Sequence, residues 1–136
     1  MAKQYPAIPD HLKRFIEAQP LFFVATALAD GRINLSPKGL DGLRVVGPNR
    51  VLWLNLTGSG NETAAHVQRD PRMTLMFCAF EGDPLILRLY GKAQLIAPHD
   101  PRWPDLYGWF EPTPGARQIF DFEVELVQTS AAWGCP

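Results

Sequence analysis

Residues 85–96 constrain the fold of this chain more than any other segment. Leu85, Leu87, Leu89, Gly91, Ala93 and Leu95 alternate without a break with Ile86, Arg88, Tyr90, Lys92, Gln94 and Ile96. A period of two sustained over this length is the pattern of a long strand, because successive side chains there point to opposite faces. Shorter β-like runs cover residues 21–29, 32–38, 44–46, 50–56 and 72–80. A last strand alternates Phe120, Phe122, Val124 and Leu126 against Asp121, Glu123 and Glu125. Turn residues separate them: Asp30-Gly31 as a hairpin signal, Pro48-Asn49, and Glu81-Gly82-Asp83-Pro84. Three short helices complete the reading. The first runs from a cap at Asp10 to Gln19, with Leu12, Phe15 and Ile16 on one face and Pro20 ending it. The second covers 59–68, with Ser59 and Glu62 as a capping box, and the third opens at Asp100-Pro101 and packs through Trp103, Leu106 and Phe110. So many strands with so little helix predict a single mainly β domain over 1–136, an antiparallel barrel and not a parallel sheet.

Two of the strands lack a polar face. In 21–29, Phe22 and Val24 oppose Phe23 and Ala25; in 72–80, Leu75 and Phe77 oppose Met76 and Phe80. One face of each can fill the barrel, and the other needs a cover, which either the helices or a second copy of the chain would supply. A homodimer is therefore expected.

Charge and composition narrow the functional classes. A net charge of −1 with scattered basic residues carries no general attraction for nucleic acid. No apolar run is long enough to span a membrane, and the N-terminal residues form no apolar leader, so a cytoplasmic protein is expected. Cys78 and Cys135 form no CxxC; Cys78, in an apolar run, reads as a buried, inert thiol. His11, His66 and His99 have no metal-ligand spacing, and His66 reads as a residue on a helix surface. Thr57 and Asn61 stand where a nucleophile elbow around Ser59 needs glycines, and there is no Walker loop or GxGxxG. No catalytic residue and no metal site is assigned.

Two segments can bind. Alternation places Asn34, Ser36 and Lys38 on one strand face, opposite Ile33 and Leu35. The loop Asn55-Leu56-Thr57-Gly58-Ser59-Gly60-Asn61 leads from a strand into a helix start, whose unpaired N–H groups favour an anion. An ordinary wet strand and a simply capped helix would look the same when each is taken alone.

In order along the chain, Ser-Pro-Lys-Gly, Leu-Thr-Gly-Ser-Gly-Asn-Glu-Thr, Leu-Met-Phe-Cys-Ala-Phe-Glu-Gly and Leu-Tyr-Gly-Lys-Ala resemble a bacterial branch of the pyridoxamine 5′-phosphate oxidase-like flavoproteins. The resemblance covers roughly residues 12–130 and implies an antiparallel split β-barrel, a homodimer, and FMN held between subunits. It implies that Lys38 meets the flavin phosphate or ring edge beside Asn34 and Ser36. Asn55 and Thr57 would lie beside the flavin, and Ser59, Gly60 and Asn61 would cradle the phosphate. It also implies an oxidoreductase acting on a small substrate that is not pyridoxamine phosphate. The oxidase pattern has Arg-Lys where this chain has Gly60 and Asn61, and its C-terminal substrate-binding Trp and Arg have no clear equivalents. A non-catalytic protein for flavin, deazaflavin or haem is the alternative.

Overall fold

The computed structural model describes residues 2–56 and 60–130. The chain runs β1 (Lys3–Tyr5), α1 (Asp10–Glu17), β2 (Leu21–Thr26), β3 (Asn34–Gly39), a 3₁₀ turn (Leu40–Gly42) and β4 (Leu43–Gly47). It continues through β5 (Arg50–Leu56), α2 (Asn61–Arg69), β6 (Arg72–Cys78), β7 (Ile86–Ile96), α3 (Trp103–Tyr107) and β8 (Ala116–Ser130). The strands form one antiparallel sheet in the order β3-β2-β6-β7-β8-β5-β4, with β1 added to β8. Among the described residues, no helix is long and apolar enough to cross a membrane.

The sheet curls upon itself. Three strands separate β2 from β5 in the hydrogen-bonded order, yet the rings of Phe22 and Trp53 lie 6.0 Å apart at 71°. Phe77 stacks on Phe22 and Phe120 on Trp53, so aromatic rings from four strands close the core. Leu12 and Ile16 of α1 and Ala64 and Val67 of α2 join the same cluster. A smaller cluster of Leu52, Ile96, Leu106, Phe110 and Ile119 lies where α3 covers the outside of β5 and β8. The free edges are β3 and β4, bridged only by the 3₁₀ turn, and the barrel is open there.

Local chemistry moves several boundaries. The strand read over 21–29 stops at Thr26, and β3 begins at Asn34, so a loop over 27–33 replaces a tight turn at Asp30-Gly31. Pro9, not Asp10, occupies the cap position of α1. That helix ends at Glu17, and the buried Gln19 donates its side-chain amide to the Phe15 carbonyl at 2.9 Å. Asp100 likewise does not cap α3; it accepts from the backbone and guanidinium of Arg102, which hold its carboxyl well below the usual range, at about 2.

The last strand changes phase. Phe120, Phe122 and Val124 face inward as alternation requires, but Leu126 is half-buried on the outside and Val127 turns in. A bulge at Tyr90/Gly91 against β8 inserts the extra residue. Gly91 is required there, because a Cβ at that position would collide with the Glu123 carbonyl.

Cys78 is half-buried at the end of β6, in register with Ile86, and not a core thiol. Cys135 lies outside the described residues.

Candidate functional site

The half-buried residues of β3 are those that alternation placed together: Asn34, Ser36 and Lys38, with Leu35 and Pro37 exposed. They pair across to Thr26, Val24 and Phe22, whose side chains are buried, so this polar row faces the barrel interior. Asn34 donates to Thr63 Oγ1 at 2.9 Å, and Ser36 to Asn34 Oδ1 at 3.5 Å. These bonds tie the edge strand to the first turns of α2. Lys38 continues the row toward the gap between β3 and β4. Burial lowers its pKa from the ordinary lysine value, and among the described residues no counter-ion offsets that cost.

Asn55, at the end of β5, is 3% exposed and donates to Gln118 Oε1 at 3.0 Å, its register partner on β8. Gly60 packs directly against it. A Cβ on Gly60 would lie 2.7 Å from Asn55 Oδ1, and the glycine has φ 72°, in the left-handed region. Gly60, and not Ser59, is the residue preceding α2, and Asn61 is the first residue of the helix. Thr57 and Ser59 lie outside the described residues. Asn34, Ser36, Asn55, Gly60 and Asn61 thus share one corner, where the edge strand meets the entrance to α2.

Gly60→Ala is expected to destabilise the fold by about 2 kcal/mol, combining left-handed backbone strain with displacement of a buried asparagine. Gly39→Ala, where an added Cβ would meet nothing within 4 Å, is the control. Equal denaturation midpoints for the two variants would show that the corner yields without cost.

A cavity of about 760 Å³ opens beside this corner, between the free edges of the barrel. Such a volume falls in the roughly 300–1,000 Å³ range of small-molecule sites. Lys38 and Asn55 line it, along with Phe22, Leu43 and Trp53 from the core. The lining also holds Glu17, Asp41, Arg44 and Glu111. Arg44 is already committed: it donates to the carbonyls of Asp41 (2.8 Å), Leu43 (2.9 Å) and Trp109 (3.1 Å) and lies over the Phe110 ring. Arg72 is elsewhere, lining a separate cavity and paired with Asp70. Lys38 is therefore the cation on this lining available to an anion.

His66 corrects the sequence reading. It is 7% exposed, and its Nδ1 lies 3.0 Å from Thr26 Oγ1, beneath α2 and not on its surface. Thr63, Gln118 and Trp53 were missed altogether. Thr63 and Gln118 enter the site through partners 29 and 63 residues away, and no local pattern marks such pairs.

The family model described as pyridoxamine 5′-phosphate oxidase matches residues 8–131. The pyridoxamine 5′-phosphate oxidase family protein ustO of Aspergillus flavus is 37% identical over 97% of this chain. The chain spans 55% of that relative's length. Among solved structures, a putative pyridoxamine 5′-phosphate oxidase from Lactobacillus delbrueckii superposes with TM-score 0.72 at 19% identity, covering 90% of this chain and 94% of that one. HutZ, the haem storage protein of Vibrio cholerae, gives 0.62 at 16% identity (88% and 92% covered). A FAD-binding protein of Mesorhizobium loti gives 0.61 at 12% (97% and 99% covered). The curled sheet is the split barrel of these neighbours, and the chain belongs to the pyridoxamine 5′-phosphate oxidase family.

Proposed function

We propose that this chain binds FMN in the cavity between β3 and β4 and acts through it as an oxidoreductase on a small molecule. The observation that carries this reading is Lys38: an ammonium half-removed from water, without a counter-ion among the described residues, on the wall of a cavity of ligand size. A phosphate would restore what burial costs that group. The start of α2, whose preceding Gly60 packs on the cavity-lining Asn55, adds backbone N–H groups and a favourable dipole near the same corner. Glu17, Asp41 and Glu111 also line the cavity, so Lys38 is the group on it that favours a phosphate.

A bound flavin supplies electron transfer, and the chain's residues supply binding and orientation. Asn55 is held by Gln118 and Asn34 by Thr63, so the polar groups nearest the phosphate corner are positioned before a ligand arrives. FAD binding by the Mesorhizobium loti neighbour is consistent with a flavin here. Haem storage by HutZ supports the competing occupant. Haem fits this lining less well, because no histidine lines the cavity and His66 is engaged with Thr26.

A second copy of the chain completes the proposal. On the outside of β2 and β6, Phe23 pairs with Met76 and Ala25 with Thr74, beside the exposed Leu35. Phe23, Ala25 and Met76 belong to neither hydrophobic cluster, since α1 and α2 pack inside the barrel and α3 covers only the β5–β8 side. A homodimer that buries this face fits its shape and chemistry.

Titration of the purified protein with FMN, with riboflavin and with haemin, read by visible difference spectra, tests the cofactor. FMN is expected to bind with the highest affinity. A haemin spectrum typical of an axial ligand, with no flavin change, would overturn the reading. Bleaching of the bound flavin by NADPH or NADH without oxygen is the corresponding test of redox activity.

A further inference from the structure

Part of the cavity wall comes from a segment far along the chain. Phe110, Glu111 and Thr113, between α3 and β8, line the cavity together with Arg44 of β4. The segment has a fixed shape of its own. The Thr113 backbone N–H donates to Tyr107 Oη at 2.8 Å, and the Thr113 hydroxyl donates to the Glu111 carbonyl at 2.8 Å. Phe110 is 7% exposed and packs in the cluster that holds Leu106 and Ile119. Arg44 ties this segment to the rest of the lining. Its Nε donates to the Trp109 carbonyl, 65 residues away, at 3.1 Å. Its Nη1 donates to the carbonyls of Asp41, in the 3₁₀ turn, and of Leu43, in β4. Its Cζ lies 5.1 Å from the centre of the Phe110 ring, a cation–π distance. The turn is seated in its place as well, since a Cβ on Gly42 would lie 3.1 Å from the Leu54 carbonyl oxygen. One planar group thus fixes three pieces of the lining relative to one another. A guanidinium, with five N–H groups in a rigid fork, can do this, and an ammonium cannot. Among the described residues no carboxylate pairs with Arg44, although Asp41 and Glu111 belong to the same lining.

We infer that Arg44 is a positioning residue for the ring of the ligand. It holds residues 109–113 and the 3₁₀ turn as one preformed wall against which a flat heterocycle binds, while Lys38 serves the phosphate. The inference rests on the flavin reading and deepens it by dividing the ligand between two cations. Loss of Lys38 is felt only by a phosphorylated flavin. Loss of Arg44 loosens the wall, which either flavin must then order on binding, so FMN and riboflavin lose the same factor. For the side chains of Phe110, Glu111 and Thr113 that factor is roughly 10-fold.

Arg44→Lys keeps the charge and removes the fork; Arg44→Ala removes both. Each variant is expected to bind FMN and riboflavin about 10-fold more weakly, by the same factor for both, at a temperature where circular dichroism shows it folded. Phe110→Leu should cost less affinity in the Arg44→Ala background than in wild type, because Arg44 acts through that ring. A merely stabilising arginine would lower the unfolding temperature and leave both affinities unchanged. The independent readout is amide hydrogen exchange over residues 109–113 of the wild-type protein, which riboflavin should slow. This measurement decides the matter even if neither Arg44 variant folds. Flavin bound with exchange there unchanged, folded variants with wild-type affinities, or a loss confined to FMN overturns the role of Arg44 and leaves the flavin reading standing. Wild-type protein that binds neither flavin overturns both.

Discussion

Lys38→Ala is expected to weaken FMN binding by about 30-fold or more and to leave riboflavin within about twofold of wild type. The size follows from what each part of the corner can contribute. A helix start such as that of α2 stabilises an anion by typically 0.3–1 kcal/mol. Removing one partner of a desolvated, charged hydrogen bond costs about 2–5 kcal/mol, and 2 kcal/mol is roughly 30-fold in affinity. Of the two arginines that the fold could have brought to the phosphate, Arg44 is spent on backbone carbonyls and Arg72 on Asp70. A pH dependence accompanies the loss. Burial holds the Lys38 pKa of the ligand-free protein below its ordinary value, and a bound phosphate would raise it again. FMN affinity should therefore be constant at low pH, apart from titration of the phosphate itself, and fall as pH rises through the lowered Lys38 pKa. Riboflavin affinity should not follow that fall. Calorimetric titration of both proteins with both flavins provides the check; equal losses for FMN and riboflavin would show that Lys38 does not meet the phosphate.

The two halves of this site differ in how far the sequence reveals them. The polar row of β3 was legible because a strand of period two must place Asn34, Ser36 and Lys38 together, whatever the rest of the fold does. The strand over residues 50–56 was also found with its bounds, since Pro48-Asn49 and the loop after Leu56 delimit it on both sides. Contacts across the barrel were not legible. His66 is polar and mid-helix, features that describe a surface residue equally well, and only the approach of β2 brings Thr26 Oγ1 within hydrogen-bond distance of its Nδ1. Trp53 reads as an ordinary core aromatic; that its indole nitrogen has no hydrogen-bond partner among the described residues is a property of the neighbours that the curled sheet supplies. The capping signal at Asp100 failed for a local reason: an aspartate followed by an available donor, such as the Arg102 backbone and guanidinium, can form a turn of its own instead of starting the helix.

Leu35→Glu is expected to convert a dimer into a folded monomer. Leu35 is 66% exposed in the single chain, on the free edge strand β3, and Ile33 beside it is 74% exposed. A glutamate at so open a position changes the stability of the isolated fold by no more than about 0.5 kcal/mol. At a subunit contact the same carboxylate would be taken out of water with no cation opposite it, at a cost of several kcal/mol. Two-fold symmetry imposes that cost twice, so the dimer dissociation constant should rise by a factor of about 100 or more. The face that Leu35 borders includes Phe23, Ala25 and Met76 on β2 and β6, and the other side of β3 puts Lys38 on the wall of the proposed FMN site. Dissociation should therefore also weaken FMN, although Leu35 points away from the cavity side of β3. Sedimentation at micromolar concentration, circular dichroism and FMN titration of wild type and variant separate the possibilities. The expected result is a wild-type dimer and a variant monomer with an unchanged far-ultraviolet spectrum and reduced FMN affinity. A wild-type protein that sediments at its chain mass of 15.2 kDa and still binds FMN tightly would refute the shared site.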